Sequence, residues 1–241
     1  MQVTCNRVLV TCKKQVTNTL LQGSKMQIYS FPTFNLTKIL LTAEETGEPY
    51  TLNLLDLTQG EHKSAQHIAR HPLGKVPAVE VDGKNYFESN AICRFIAERN
   101  DYKLYGDSPE QRALINQWVD MATMHIGKWL TVMFYEHKIK PMFFSGETNP
   151  AAVAEAETFL AQQLPVFENQ LSQTKFIAGD AYSIADIIGF SYFSTAAHSG
   201  VDLSSYPKIS QWLENIKTRP SYAKAMSHLP GNDIFALLNQ Q

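Results

Sequence analysis

Gly74-Lys75-Val76-Pro77-Ala78-Val79-Glu80-Val81-Asp82-Gly83-Lys84-Asn85-Tyr86-Phe87-Glu88-Ser89-Asn90-Ala91-Ile92 is the stretch that decides the fold. It reads as a proline-bounded approach to a strand at Ala78–Val81, an Asp82-Gly83 turn that closes a hairpin, a short second strand at Tyr86-Phe87, and then a helix. The helix opens at Glu88-Ser89, an acid and a hydroxyl beside the free N–H groups of its first turn. A helix N-terminus favours a carboxylate and a Glu side chain takes an ammonium, so both ends of one amino-acid headgroup find partners here. Val76 precedes proline and is held extended. It can offer its N–H and C=O to an extended peptide as an added strand, and a cis bond at Pro77 would sharpen that presentation. Taken singly, Lys75-Val76-Pro77 is an ordinary loop and Glu88-Ser89 an ordinary cap. Together, at this spacing, they say more.

Outward from this stretch, toward the N-terminus, the pattern predicts a strand at Gln27–Ser30 and a loop at Phe31–Phe34. A helix from about Asn35 to Glu45 follows, with Leu36, Ile39, Leu40 and Ala43 on one face and Gly47 as its stop. A second strand at Tyr50–Leu55, a charged loop and a short helix around Ser64–His71 complete a small α/β unit. Toward the C-terminus, Asn100–Asp107 reads as a polar linker, and Ser108-Pro109-Glu110 restarts a helix with a capping hydroxyl and a proline in the first turn. Helices are expected at about Pro109–His137, Pro150–Ser172, Ser183–Ser199 and Tyr206–Thr218, with a shorter one at Tyr222–Ser227 and no further strand. In Ser183-Ile184-Ala185-Asp186 the Ser caps the helix and Asp186 returns a bond to the cap's own N–H, a short-armed capping box that assigns Asp186 to stability.

The 241 residues suffice for one large or two small domains. A net charge of −2, with 18% charged residues, gives no general polyanion-binding surface, so no nucleic-acid partner is expected. No apolar run reaches the length of a membrane span. Cys5, Cys12 and Cys93 are odd in number and lack metal-type CxxC pairing, which points to free thiols, a reducing cytoplasmic compartment and no metal site. Residues 1–25 stand apart: Thr/Gln/Asn-rich, with Arg7, Lys13, Lys14 and Lys25 and no acid. Their apolar patch, Val8-Leu9-Val10, is too short for a secretory core. They are expected to be a disordered or poorly packed extension; an organelle transit segment and a natural start at Met26 are the other readings.

The run from Lys75 to Ala97 resembles the glutathione-binding stretch of the glutathione transferase family, and the likeness extends over most of Met26–Met226. The resemblance implies a thioredoxin-like domain at 26–100 that binds glutathione, a linker at 101–107 and an all-α domain at 108–241. In it, Val76 and Pro77 dock the tripeptide backbone while Glu88 and Ser89 hold the γ-glutamyl end. Glu61-His62-Lys63-Ser64 is similar to the phi-class Glu-His-Lys-Ser, which gives His62 and Lys63 the glycine carboxylate by charge-assisted bonds; Lys75 joins them on the backbone. The bland alternative is a solvated charged turn.

The loop Ser30-Phe31-Pro32-Thr33-Phe34-Asn35-Leu36-Thr37 hands a strand over to a helix N-terminus, where a hydroxyl or amide can donate to a bound thiol and favour its thiolate. Thr33 ranks first for that task, Asn35 second and Ser30 third; the bland reading is a Thr/Asn pair that merely caps the helix. Thr33-Phe34-Asn35-Leu36-Thr37 resembles the phi-class Ser-x-Asn-Leu-Thr with Thr in place of Ser, so the hydroxyl is kept while a methyl crowds the sulfur. Tyr29 lies inside the strand pattern and reads as packing. The loop has no Cys, which argues against the cysteine-type classes. On the first long helix, Trp118, Met121, Met124, His125, Trp129, Val132 and Met133 supply adaptable apolar surface at helical spacing, which is more often core than a ligand face. His125 and His137 read as structural.

The resemblance implies a glutathione S-transferase that needs no cofactor beyond glutathione as co-substrate and conjugates its thiolate to a hydrophobic electrophile. Reduction of organic hydroperoxides is a possible side activity and a homodimer the expected assembly. The rival reading is a non-catalytic ligand carrier or assembly scaffold; the preserved glutathione contacts count against it and Thr33 for Ser counts for it.

Overall fold

The computed structural model describes residues 25–144, 146–229, 231 and 235–236. Apart from Lys25, the extension expected at residues 1–25 lies outside them. The first half runs β1 (Met26–Ser30), α1 (Phe34–Thr46), β2 (Tyr50–Leu54), a 3-10 turn (Glu61–Lys63), α2 (Ala65–Arg70), β3 (Ala78–Val81), β4 (Lys84–Phe87) and α3 (Ser89–Arg99). The sheet order is β2-β1-β3-β4, with β1 parallel to β2 and antiparallel to β3, and β3 antiparallel to β4. This is the expected thioredoxin-like arrangement. Its parallel pair is crossed by α1 and its hairpin is closed by Asp82 and Gly83, both at positive φ as a tight hairpin turn requires. Strand β4 begins two residues earlier than the pattern suggested, because the hairpin register continues through Glu80↔Asn85 and Val81↔Lys84.

Helix α1 departs most from its amphipathic reading. Every residue from Leu36 to Ala43 is buried, not one face alone. The helix packs against α3 and, in the second half, against α8 (Ile184–Phe193) and α10 (Pro220–Ser227). A helix covered all round sits at the centre of a molecule, not on its surface.

The second half is helical, as expected: α4 (Pro109–Met121), α5 (Lys128–Phe134), α6 (Lys140–Phe144), α7 (Pro150–Gln173), α8 (Ile184–Phe193), α9 (Pro207–Lys217) and α10 (Pro220–Ser227). The first long helix differs from the expected Pro109–His137. It runs on to Phe144 and contains two π-helical stretches, Ala122–Gly127 and Tyr135–Ile139. Helix α8 stops at Phe193 instead of Ser199. Beyond it the hydroxyls of Ser194 and Thr195 take backbone carbonyls of the preceding turn, and that of Ser199 reaches across to Leu130 O, all in competition with the helical ladder.

The capping box at Ser183 and Asp186 is present, and Asp186 does more than close it. Its carboxylate accepts from Ser183 N at 3.0 Å, Ile177 N at 2.9 Å and Trp212 Nε1 at 3.0 Å, so one buried acid ties three segments together. Burial pushes its carboxyl up to about 6 despite these donors.

The two halves are joined at the C-terminal end of α1. Glu45 takes Arg219 in a fork at 2.6 and 2.9 Å together with the Ser221 hydroxyl, and Glu44 takes Lys224 at 2.6 Å. Among the described residues no helix is long and apolar enough to cross a membrane.

Candidate functional site

Thr33 is the N-cap of α1, with extended backbone, and its Oγ1 accepts from Leu36 N at 3.3 Å. That bond uses a lone pair and leaves the hydroxyl proton for a separate partner, so capping and donation to a sulfur are compatible on one side chain. Two residues on, Asn35 Oδ1 accepts from Ser89 Oγ at 3.3 Å. The N-terminal turns of α1 and α3, more than fifty residues apart in sequence, therefore meet at their positive ends, where an anion is favoured. Ser30, the third-ranked hydroxyl, is fully buried and donates to Phe31 O at 3.0 Å, so it faces inward. Tyr29 packs under the Arg70 guanidinium at 3.7 Å, as the strand reading required.

Glu88 occupies the N-cap position of α3 at φ 67° and makes no side-chain cap bond, which sets aside the reading of Glu88-Ser89 as an ordinary cap. A non-glycine residue in the left-handed region costs free energy unless its surroundings hold it there, and such positions concentrate at ligand sites. Its exposed carboxylate is free of the helix it precedes.

The Val76-Pro77 bond is cis, and β3 begins pairing with β1 only at Ala78, opposite Tyr29, so the peptide groups of Val76 lie outside the sheet ladder. The approach to Val76 is fixed by His67, a buried residue of α2 whose Nε2 bonds Lys75 O at 2.8 Å. Nothing in the local pattern distinguished His67. Gly74 is required by space as well as by its φ of 57°: a Cβ there would lie 2.7 Å from His62 O and 2.8 Å from Ile68 Cδ1.

His62 and Lys63 sit in the 3-10 turn beside this loop. Lys63 Nζ donates to Leu73 O at 3.0 Å, which spends one of three donors and holds the amine over the loop before Val76. His62 Nδ1 is buried without a partner. Burial, then Lys63, then His67 hold its imidazole below the usual range. The imidazole is thereby held toward its neutral form, whereas the sequence alone read the pair as cationic. Lys75 is exposed, with its side chain toward solvent and its carbonyl taken by His67.

The apolar stripe on the first long helix divides. Trp129 and Met133 are core, Trp129 stacking on Phe159 at 4.4 Å, and Trp118 packs edge-on against Phe167. Met124 is 62% exposed. His137 Nδ1 bonds Ser199 O at 2.7 Å and is structural. Next to Thr33 in the chain, Phe34 meets Phe134 at 6.1 Å and Tyr192 at 5.8 Å between the two halves.

Sequence reasoning missed Lys38, Asn90 and Thr123. Lys38 is fully buried, its Nζ 3.0 Å from Asn90 Oδ1, and Asn90 Nδ2 reaches Thr123 Oγ1 at 2.9 Å. The amphipathic reading of α1 put Lys38 on its polar face; only the packing of α8 over that face reveals the burial.

Comparison with known proteins places this geometry. The family model described as "Glutathione S-transferase, N-terminal domain" matches residues 24–98, and "Glutathione S-transferase, C-terminal domain" matches residues 121–220. A probable glutathione S-transferase of Oryza sativa subsp. japonica is 31% identical over 207 residues, covering 84% of this chain and 96% of the rice protein. Glutathione S-transferase 1 of Zea mays is 32% identical over 206 residues, covering 83% and 94%. Among solved structures, a glutathione S-transferase I bound with lactoylglutathione superposes with a TM-score of 0.77 at 29% identity, covering 86% of this chain and all of that one. A glutathione S-transferase I from maize in complex with an atrazine glutathione conjugate gives 0.75 at 30% identity, covering 84% and 96%. Both domain models match in order and the relatives are matched over nearly their full length: the chain belongs to the glutathione S-transferase family and is phi-like.

Proposed function

We propose that this protein is a glutathione S-transferase that binds glutathione with residues of its 26–100 domain and transfers the thiolate to a hydrophobic electrophile between that domain and the helical domain at 108–241, with 101–107 as the linker. The observation that carries the reading is the hydrogen bond between Asn35 and Ser89, which joins the N-terminal turns of α1 and α3 in the same domain that carries the cis Val76-Pro77 bond. In this reading Glu88 takes the γ-glutamyl ammonium and Ser89 with the α3 N-terminus takes its carboxylate. Val76, ahead of cis-Pro77, pairs with the cysteinyl backbone, and Lys63, His62 and Lys75 receive the glycine carboxylate.

Thr33 donates its hydroxyl proton to the sulfur, with Asn35 in support, and the positive end of α1 adds to the field, so the thiol loses its proton to solvent near neutral pH. The thiolate sulfur then forms a bond to the electrophilic carbon while the leaving group departs with its electron pair. The protein's contribution is alignment of the two reactants and stabilisation of the anion, with glutathione as co-substrate. Phe34 supplies the apolar wall nearest the sulfur, which suits an aromatic or alkyl electrophile and a detoxifying role.

The assembly we propose is a homodimer. Leu73 at 61% exposure, Phe87 at 42% and Ile68 at 39% are large apolar side chains left open on the glutathione-binding domain, with Phe87 packed on the His71 ring at 5.0 Å, and such residues suit the surface of a second copy. The reducing-compartment reading of the cysteines favours the cytoplasm, and Cys93 is a free buried thiol.

Retention on immobilised glutathione followed by a conjugation assay with a chlorodinitrobenzene acceptor tests the reading. Retention with turnover is expected. Retention without turnover would favour a carrier over an enzyme, and the loss of both retention and turnover would overturn the function proposed.

A further inference from the structure

Among the described residues Lys38 is one of the largest side chains that are fully enclosed, at 0% exposure, and the other fully enclosed large ones named with it are apolar. An ammonium in such a place is costly, and an apolar side chain of similar length would fill the same volume without that cost. Its surroundings are built to hold it. Nζ donates to Asn90 Oδ1 at 3.0 Å and stands 4.1 Å over the Tyr192 ring. Asn90 Nδ2 donates to Thr123 Oγ1 at 2.9 Å, and Thr123 donates to Val119 O at 2.7 Å from within the first π-helical stretch. These contacts join four elements: α1, α3, the π turn after α4, and α8.

The connection closes a ring around the candidate site. Lys38 lies one helical turn after Asn35, Asn90 directly follows Ser89, and Asn35 and Ser89 are themselves bonded at 3.3 Å. The two helix N-termini are thus tied twice, once at the ligand surface and once beneath it, and the lower tie continues through Thr123 into the helical domain. Lys38 is also close enough to Glu88, the proposed partner of the γ-glutamyl ammonium, for the carboxylate to favour its charge. The titratable groups that face it are Glu88 and Cys93 on the α3 side and Tyr192 on α8; Asn90 and Thr123 carry no charge. From α10, Lys224 and His228 pair instead with Glu44 at the far end of α1.

We propose that Lys38 is a positioning residue for glutathione: through Asn90 and Thr123 it fixes Asn35 against Ser89, and its charge stands behind the two helix N-termini that receive the thiolate and the γ-glutamyl carboxylate. The proposal rests on the transferase reading above and assigns it a residue outside the glutathione contacts. Burial lowers the Lys38 ammonium to about 7, against the raising influence of Cys93 and then Glu88, which is the mark of a group kept where packing alone would not place it.

The test compares the wild-type chain with Lys38→Met and Thr123→Val by kcat and KM for glutathione, by the ultraviolet absorbance of bound thiolate against pH, and by thermal unfolding. Lys38→Met is expected to melt at or above the wild-type temperature, since a buried charge is replaced by an apolar side chain of like length. Its KM for glutathione should rise by about fivefold or more, the equivalent of one lost hydrogen bond, with a higher thiol pKa. Thr123→Val, which removes only the link to the helical domain, is expected to raise KM by about twofold. A Lys38→Met protein with wild-type KM and thiol pKa overturns the proposal, whatever its melting temperature. If Lys38→Met does not fold, Thr123→Val decides alone, and an unchanged KM there overturns it. A wild type that neither retains glutathione nor turns over brings down the transferase reading and this role with it, and the wild-type arm alone reveals that case.

Discussion

Replacing Asp186 with Ala removes the acceptor for three buried N–H donors at once, Ile177 N–H, Ser183 N–H and the Trp212 indole N–H, besides the Ser183 hydroxyl, which is free to rotate to another partner. An unsatisfied buried donor costs about 1–3 kcal/mol, so the three together cost about 6 kcal/mol. An opposing contribution comes from the carboxylate itself. Burial raises its pKa from 3.8 to about 6, so keeping it ionised at neutral pH costs the folded state about 3 kcal/mol, which the substitution relieves. The net loss is about 3 kcal/mol. For a chain of this length each kcal/mol moves the melting temperature by about 2–4 °C, so Asp186→Ala should melt about 10 °C below wild type. Thermal unfolding by circular dichroism at neutral pH reads this directly. The sign of the pH dependence follows from the raised pKa: the Asp186 contribution is fully present below pH 3.8 and is lost as pH rises through about 6. A shift of less than about 2 °C would refute the assignment of Asp186 as the tie between α8, α9 and the turn before α8.

Gly127→Ala should destabilise by about 1–3 kcal/mol although alanine is the better helix former, because its Cβ would stand 2.7 Å from the buried Tyr192 ring; denaturant unfolding measures it. Arg219→Ala removes the forked pair to Glu45 that joins α10 to α1 and should cost about 2 kcal/mol in the same assay, with Glu45 left on Ser221 alone. Lys38 makes stability depend on pH in the alkaline range. With its pKa at about 7 in the folded chain and 10.5 when unfolded, the unfolded state binds more protons between those values, so stability rises with pH across that window and the contribution is lost as pH falls through 7. Lys38→Met should flatten that rise, as urea unfolding at neutral pH and at about pH 9 would show.

The hairpin and its approach were legible because turn chemistry is local: Val76-Pro77, Asp82-Gly83 and Glu88-Ser89 each fix their own backbone. Helices of the second half were legible for the same reason, through Ser108 and Ser183 as caps and Pro109 in a first turn, whereas the Asn149 cap emerges only in the structure. The π-helical stretches were not, because no residue spacing marks an extra residue inside a helical turn. At the site, Thr33, Asn35, Glu88 and Ser89 stood out by residue type at helix starts. Their meeting depends on α1 and α3 packing side by side, which sequence does not encode locally. Lys38 was hidden by the same logic that found Leu36, Ile39 and Leu40. A lysine on the polar face of an amphipathic helix reads as solvated until a second layer of helices covers that face. His67 was invisible because its work is a single long-range bond to Lys75 O.

Thr33 is proposed as the donor that turns bound glutathione into a thiolate. The measurement that tests it most directly is the ultraviolet absorbance of glutathione thiolate in the complex as a function of pH, for wild type and Thr33→Ala. A wild-type thiol pKa well below that of free glutathione is expected, with a return toward the free value in Thr33→Ala while glutathione stays bound. A complex whose thiol titrates as it does in free solution would contradict it, and Thr33 would then be the cap of α1 and nothing more.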